Sequence, residues 1–293
     1  MVRNAMIGFQ AIFNNAFKEV DPMWKMIAEE VNSTTSLETY EWLGQIPGMR
    51  EWIGERYIHR LEEHAYMLKN KKYESTIAVS RDAVADNKLG TYSMAFKGLG
   101  EACATHPDEL VFSTLAAGFD NVCFDGQNFF DTDHPVVIDG EETSVSNMQD
   151  GAGPSWFLLC TSKALNPIFY QNREDPELVS QEDAKSSHHV FMQDELLYGA
   201  RSRGVAGYSY WQLAFGSKAP LTAENFKAAR TAMSSLVGDQ GRPLGIVPNL
   251  LVVPPALEDD ADEIVKVKRT DGGKDNTNFG KAEVLMTPWL AAA

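Results

Sequence analysis

The run Asp131-Thr132-Asp133-His134 places two carboxylates and an imidazole in consecutive positions, a set that could bind a metal or move a proton. In an extended segment Asp131 and Asp133 share one face and His134 points to the other, so three-point coordination needs a bend. No second histidine stands nearby in sequence. Carboxylates that bond the backbone of their own turn account for the spacing as well. A metal-dependent hydrolase using Asp131, Asp133 and His134 is therefore the minority reading. His188-His189 lies in a polar stretch and reads as a solvated pair, and Cys103 and His106 read as core and cap on one helix. Gly204-Val205-Ala206-Gly207 lacks dinucleotide-binding spacing, and P-loop, G-x-S-x-G and H-E-x-x-H motifs are absent. No catalytic residue, metal ligand or cofactor is expected. Lys69-Asn70-Lys71-Lys72 remains. Its charges could hold a phosphate, but a charged hairpin tip, which discourages edge-to-edge pairing, is the plainer reading. Its function would then be an inter-subunit contact through Lys69, Asn70, Lys71 and Lys72.

The elements around these residues mix both periodicities. Phe9, Ile12, Phe13, Ala16, Phe17 and Val20 fall at helical spacing and predict an N-terminal amphipathic arm. Asp21-Pro22 predicts a helix start, with Trp24, Ile27, Ala28 and Val31 on one face. Tyr66 and Leu68, then Tyr73, Ser75, Ile77 and Val79, alternate on either side of the lysine run and predict a β-hairpin turning at Asn70 in a left-handed conformation. Such a hairpin lacks a private core and needs another surface to lie on. A long helix is expected at about 92–117, kinked or restarted at Pro107. Residues 120–153 read as turns, 155–160 as a buried strand, 171–189 as a polar surface loop and 205–215 as a strand. Thr222 caps a helix, Leu250-Leu251-Val252-Val253 is a strand fenced by prolines, and 258–263 starts an acidic helix. Strands and helices do not alternate regularly, so the fold class is α+β.

Composition narrows the function. The 293-residue chain has 41 acidic and 26 basic residues, a formal net charge of −15. That sign suits a soluble protein at high concentration and argues against a specific grip on nucleic acid. Apolar runs are far shorter than the roughly 20 residues of a membrane span. No secretory signal is apparent, and three separated cysteines form no disulfide framework, which suits a reducing cytoplasm.

Several segments, in order, resemble the Mu-like major head subunit (gpT) family. They are Ser33-Thr34-Thr35, Glu38-Thr39-Tyr40-Glu41-Trp42-Leu43-Gly44, Arg50-Glu51-Trp52-Ile53-Gly54-Glu55-Arg56, Leu68-Lys69-Asn70-Lys71-Lys72-Tyr73-Glu74 and His106-Pro107-Asp108-Glu109-Leu110-Val111. Further on come Phe124-Asp125-Gly126-Gln127-Asn128-Phe129-Phe130-Asp131-Thr132-Asp133-His134-Pro135, Trp211-Gln212-Leu213-Ala214-Phe215 and Pro248-Asn249-Leu250-Leu251-Val252-Val253-Pro254-Pro255. The resemblance covers about residues 30–256 and rests on collinear order.

The resemblance implies a Hong Kong 97-like phage capsid fold. Its parts would be an N-terminal arm and lead-in (1–55), an E-loop hairpin (56–84), a peripheral domain with the spine helix (85–218), and an axial domain with a C-terminal strand (219–293). The chain ends earlier than the family suggests, so that strand is expected to be short or missing. The implied function is the major capsid protein of a tailed bacteriophage, assembling with itself into pentamers and hexamers of an icosahedral shell around DNA, with no sequence-specific binding and no membrane. A separate scaffolding protein, a portal and decoration proteins are the implied partners. The virion is the implied location, with the host cytoplasm during assembly. An encapsulin-like cellular shell is the alternative on the same fold.

Overall fold

The computed structural model describes residues 2–40, 66–86, 89–138, 141–238, 241–269 and 273–291. In chain order the elements are α1 (Val2–Glu19), β1 (Ala28–Asn32), β2 (Leu37–Tyr40), β3 (Tyr66–Lys69), β4 (Lys71–Ser80), α2 (Arg81–Ala85) and α3 (Leu89–Ala116). There follow β5 (His134–Ile138), β6 (Glu141–Val145), β7 (Met148–Gln149), β8 (Trp156–Leu159), β9 (Ile168–Gln181), α4 (His188–Gln193) and β10 (Glu195–Tyr208). The chain then runs through β11 (Ala214–Ser217), α5 (Ala223–Ser234), β12 (Leu250–Val253), α6 (Glu258–Val265) and β13 (Glu283–Met286).

One sheet, ordered β1-β9-β10-β4, carries the two helices α1 and α3. Their contact is aromatic: Phe9 of α1 stacks on Phe96 of α3 at 4.0 Å, and both meet the Tyr198 ring of β10 edge-on. Gly100 permits the crossing, because a Cβ there would stand 2.5 Å from the Phe13 carbonyl oxygen. The arm predicted from helical spacing thus packs on its own subunit.

A second sheet, ordered β13-β12-β8-β11-β7, holds the larger core. Its central strands read as unbroken apolar runs because both faces are covered, and Trp156, Phe157, Leu158, Leu159, Leu251, Val252 and Val253 are fully buried. This sheet joins strands from both sides of residue 219, where the axial domain was expected to begin. Near the end of the chain, where the terminal strand was expected to be short or missing, the four-residue β13 runs parallel to β12. Thr222 caps α5 by accepting the Asn225 N–H at 3.2 Å, as its position predicts.

Some expectations are corrected. The helix predicted after Asp21-Pro22 is a single 3-10 turn, Met23–Met26, followed by β1. The Trp24 N–H donates to Asp108 on α3 at 2.6 Å, and strand pairing with β9 then claims residues 28–32. The loop predicted at 171–189 is mostly strand: β9 continues through Gln181 because β10 pairs along it, with its outer polar residues exposed. Within 120–153, β5 and β6 form a hairpin. The long helix is unbroken from Leu89 to Ala116 with Pro107 inside it. The hairpin predicted to turn at Lys69-Asn70-Lys71-Lys72 does not form: β3 pairs with β2, and β4 pairs with β10 in the other sheet. Nor is Asn70 left-handed, since Asp194 is the non-glycine residue with positive φ among those described.

Candidate assembly site

Asn70 sits within the lysine run. It is the hinge between two strands that leave for different sheets, and it is 7% exposed while Lys69, Lys71 and Lys72 are exposed. Its Nδ2 donates to Ser33 Oγ at 2.8 Å and to the Thr35 carbonyl at 2.9 Å. Its Oδ1 accepts from Gln171 Nε2 at 2.8 Å, and its backbone N–H donates to the Ser36 carbonyl at 3.1 Å. All polar groups of this buried side chain are thus engaged, as burial requires.

Gln171 extends the network. Fully buried on β9, it accepts the Tyr40 hydroxyl at 2.6 Å through Oε1. Burial pushes the Tyr40 phenol up to about 12, so it stays a donor across the physiological range. The other end of the loop is fastened by Glu38. Its Oε1 accepts from the Thr35 N–H at 3.0 Å, the Thr34 N–H at 2.8 Å and Ser33 Oγ at 2.9 Å. The two backbone donors first, then the serine, hold its carboxyl down at about 2. Residues 33–38 therefore fold on a carboxylate, and the pair β2/β3 is tied at its base to β9. The connection between β2 and β3, residues 41–65, lies outside the described residues, as do the tryptophans at 42 and 52 and the first part of the hairpin expected at 56–84.

Gly204 and Gly207 also take part. A Cβ at Gly204 would stand 2.9 Å from the Gln171 carbonyl oxygen and from the Tyr170 hydroxyl, and one at Gly207 would overlap the Leu68 side chain. The glycines let β3 and β9 approach β10 closely. Of this cluster, sequence reasoning singled out Asn70 and the lysines but missed Gln171 and the role of Glu38. Ser33-Thr34-Thr35 followed by Glu38 carried a local signal, hydroxyls and amides facing a carboxylate, whereas Gln171 carried none.

Asp131, Asp133 and His134 are not gathered for catalysis. His134 is fully buried, with Nδ1 2.7 Å from Asp125 Oδ2, Nε2 3.2 Å from Asn147 Oδ1, and its ring stacked on Trp211 at 4.0 Å. Asp131 accepts the N–H groups of Thr132 and Asn128, a turn role. Burial would raise its carboxyl, but these bonds keep it below the ordinary range; the proton shared with it raises Asp133. Cys123, Asp125 and His134 do place three ligand atoms within 4.8 Å of one another. The 2.7 Å contact at His134 and the 3.1 Å contact from Cys123 Sγ to Asp125 Oδ1 are hydrogen-bond lengths. Atoms sharing a tetrahedral zinc at about 2.0–2.3 Å stand roughly 3.3–3.8 Å apart. Burial first, then Asp125, pushes the Cys123 thiol up, so it stays protonated. His189 stands by Glu195 on the surface at 3.3 Å, and His106 packs on the Tyr73 ring at 4.2 Å.

A family model described as Mu-like prophage major head subunit gpT matches residues 2–290. The chain belongs to that family. It is 38% identical to the major capsid protein of Escherichia phage Mu, over 99% of this chain and 98% of that one. It is 40% identical to the Mu-like prophage FluMu major head subunit of Haemophilus influenzae, over 98% and 96%. Its structure is similar to the subunit in the procapsid of bacteriophage JBD30, with a TM-score of 0.88 at 43% identity, covering 98% of each chain. The subunit of the JBD30 capsid gives 0.78 at 36% identity, covering 95% and 94%. This head subunit is a major capsid protein of a tailed phage, Hong Kong 97-like in fold, a component of the virion head and not an enzyme. The phage relatives favour that shell over the encapsulin-like compartment and the hydrolase.

Proposed function

We propose that this head subunit closes its shell through the pair β2/β3 and the exposed Lys69, Lys71 and Lys72 beside it, which meet a neighbouring subunit in pentamers and hexamers. The observation that carries this reading is the contrast at one turn of chain: Asn70 is buried and fully bonded, while the three lysines around it point to solvent. A rigid root thus presents cationic side chains from a subunit whose net charge is −15, so a neighbouring copy offers complementary carboxylates. The E-loop hairpin is rooted in β2 and β3 in this reading, with β4 serving as the outer strand of the four-stranded sheet.

The same charge suits a wall that encloses DNA without gripping it. A separate scaffolding protein and a portal complete the assembly, which proceeds in the host cytoplasm. Decoration proteins bind the outside; the JBD30 capsid is described as decorated with minor capsid protein trimers. Charge reversal of Lys71 and Lys72 to glutamate, in protein co-expressed with the neighbouring phage genes, tests the contact. Loss of shells in negative stain with an unchanged far-ultraviolet spectrum and melting temperature of the free subunit is expected. Normal shells from the variant would remove the lysines from the interface.

A further inference from the structure

The β5/β6 hairpin is held on one face, where Val136 is buried in the main core with Ile138 and Val145 packed against it. All of β6 but Val145 is exposed, and a lone two-stranded hairpin is marginal in water. Its base is clamped. His134 begins β5 and pairs with Val145, the end of β6, while Asn147 follows just beyond. The Asn147 side chain cannot turn around: Nδ2 faces three carbonyls, those of Phe129 at 2.8 Å, Ala214 at 3.3 Å and Trp211 at 3.4 Å. Its Oδ1 therefore faces inward, accepting the Asp131 N–H at 2.9 Å and confronting His134 Nε2 at 3.2 Å. On the other side of the ring Nδ1 meets Asp125 Oδ2 at 2.7 Å. With Asp125 held ionised, both ring nitrogens face oxygens that only accept, and both must donate.

We infer that His134 is held as a buried imidazolium, paired with the Asp125 carboxylate, and that this ion pair is a proton-dependent latch fastening the β5/β6 hairpin to the body of the subunit. The charged groups facing the ring, among the described residues, are all acidic or neutral. The turn before it supplies Asp125 and the protonated Cys123, the adjoining loop supplies Asp131 and Asp133, and Asn147 and Trp211 are uncharged. An imidazolium stacked on the indole face gains a cation–π attraction as well. Asp125 is fully satisfied, since its other oxygen accepts the Cys123 thiol at 3.1 Å and the Gln127 N–H at 3.1 Å, and this makes so deep an ion pair tolerable.

The latch has an acid limit. Burial would raise the Asp125 carboxyl, but the His134 bond and charge hold it below the ordinary range, so the pair's contribution is present above that range and is lost as pH falls through the lowered value.

Histidine-labelled shells, studied by magic-angle-spinning nitrogen-15 spectroscopy at neutral pH, test it. The resonance lost in His134→Gln is expected to show both ring nitrogens protonated. A neutral tautomer there, or close to one equivalent of bound metal by elemental analysis, would overturn the latch. Asp125→Asn removes the counter-charge and should lower the melting temperature of the subunit at neutral pH, and the variant should lack the acid loss of stability that the pair gives the wild type. A neutral-pH melting temperature and acid profile unchanged from wild type would overturn the latch. If neither variant folds, the fully protonated ring is sought directly in wild-type shells by nitrogen–carbon correlation, with the same neutral-tautomer outcome overturning the proposal.

Discussion

Replacing Asn70 with alanine should unfasten the root of the β2/β3 pair, and its cost follows from the bonds described. The substitution deletes three hydrogen bonds of 2.8, 2.9 and 2.8 Å around a side chain only 7% exposed. Ser33 Oγ keeps Glu38 and the Thr35 carbonyl as partners. Gln171 Nε2 keeps only a long 3.5 Å contact to the Leu68 carbonyl and becomes a nearly orphaned donor. At about 0.5–1.5 kcal/mol net per bond, with the orphaned donor at the upper end, the loss comes to about 2–4 kcal/mol. For a chain of this size that corresponds to a melting temperature lower by about 3–7 °C. Denaturant titration of the unassembled subunit by tryptophan fluorescence reads the first figure, and calorimetry the second. Asn70→Asp keeps the volume but sets an acceptor against the Thr35 carbonyl, so it should be at least as damaging. Lys71→Glu, at an exposed position, should stay within about 0.5 kcal/mol of wild type. If both Asn70 variants also stayed within that margin, the polar root would not be what holds the strand pair, and the assembly argument built on it would fail.

Glu38→Gln should lower subunit stability at neutral pH, and the difference from wild type should vanish in acid. The carboxyl is held at about 2, so what it contributes is complete above the ordinary carboxylate range and disappears as pH falls through about 2. Parallel acid titrations followed by circular dichroism check this; a difference that persists undiminished as pH falls through about 2 would mean that the charge is irrelevant. Gly151→Ala should cost about 1–3 kcal/mol or more, because its Cβ would overlap the Lys218 backbone carbonyl at the end of β11, which cannot step aside as a side chain could. A variant that melts as the wild type does would show that this backbone pairing yields freely.

How far the fold could be read from residues depended on whether a segment's partner was implied by its own pattern. Phe9, Phe13 and Ala16 announce a helix face, and Thr222 announces a cap, since both signals are local and survive any tertiary context. The strand β8 is legible because burial on both faces writes itself as Trp156-Phe157-Leu158-Leu159. By contrast, alternation on both sides of Lys69-Asn70-Lys71-Lys72 states only that two strands meet there. It does not say with which strands they pair, and a charged run containing asparagine looks the same whether it turns a hairpin or passes between sheets. β9 was hidden for a related reason: beyond Gln171 its side chains are mostly polar, and the strand exists because β10 bonds its backbone, a term with no side-chain signature. The site divided along the same line. Asp131, Asp133 and His134 stood out because their types are chemically active, but Asn147, thirteen residues beyond His134 in sequence and against its ring in space, sets the protonation that the hydrogen bonds demand. A residue's type can propose chemistry, whereas the acceptor on the far side of the ring decides whether that histidine is a ligand, a base or half of a salt bridge. Here two fixed acceptors make it the last, and the family's shell-building role leaves that charge to hold a fold together and not to turn over a substrate.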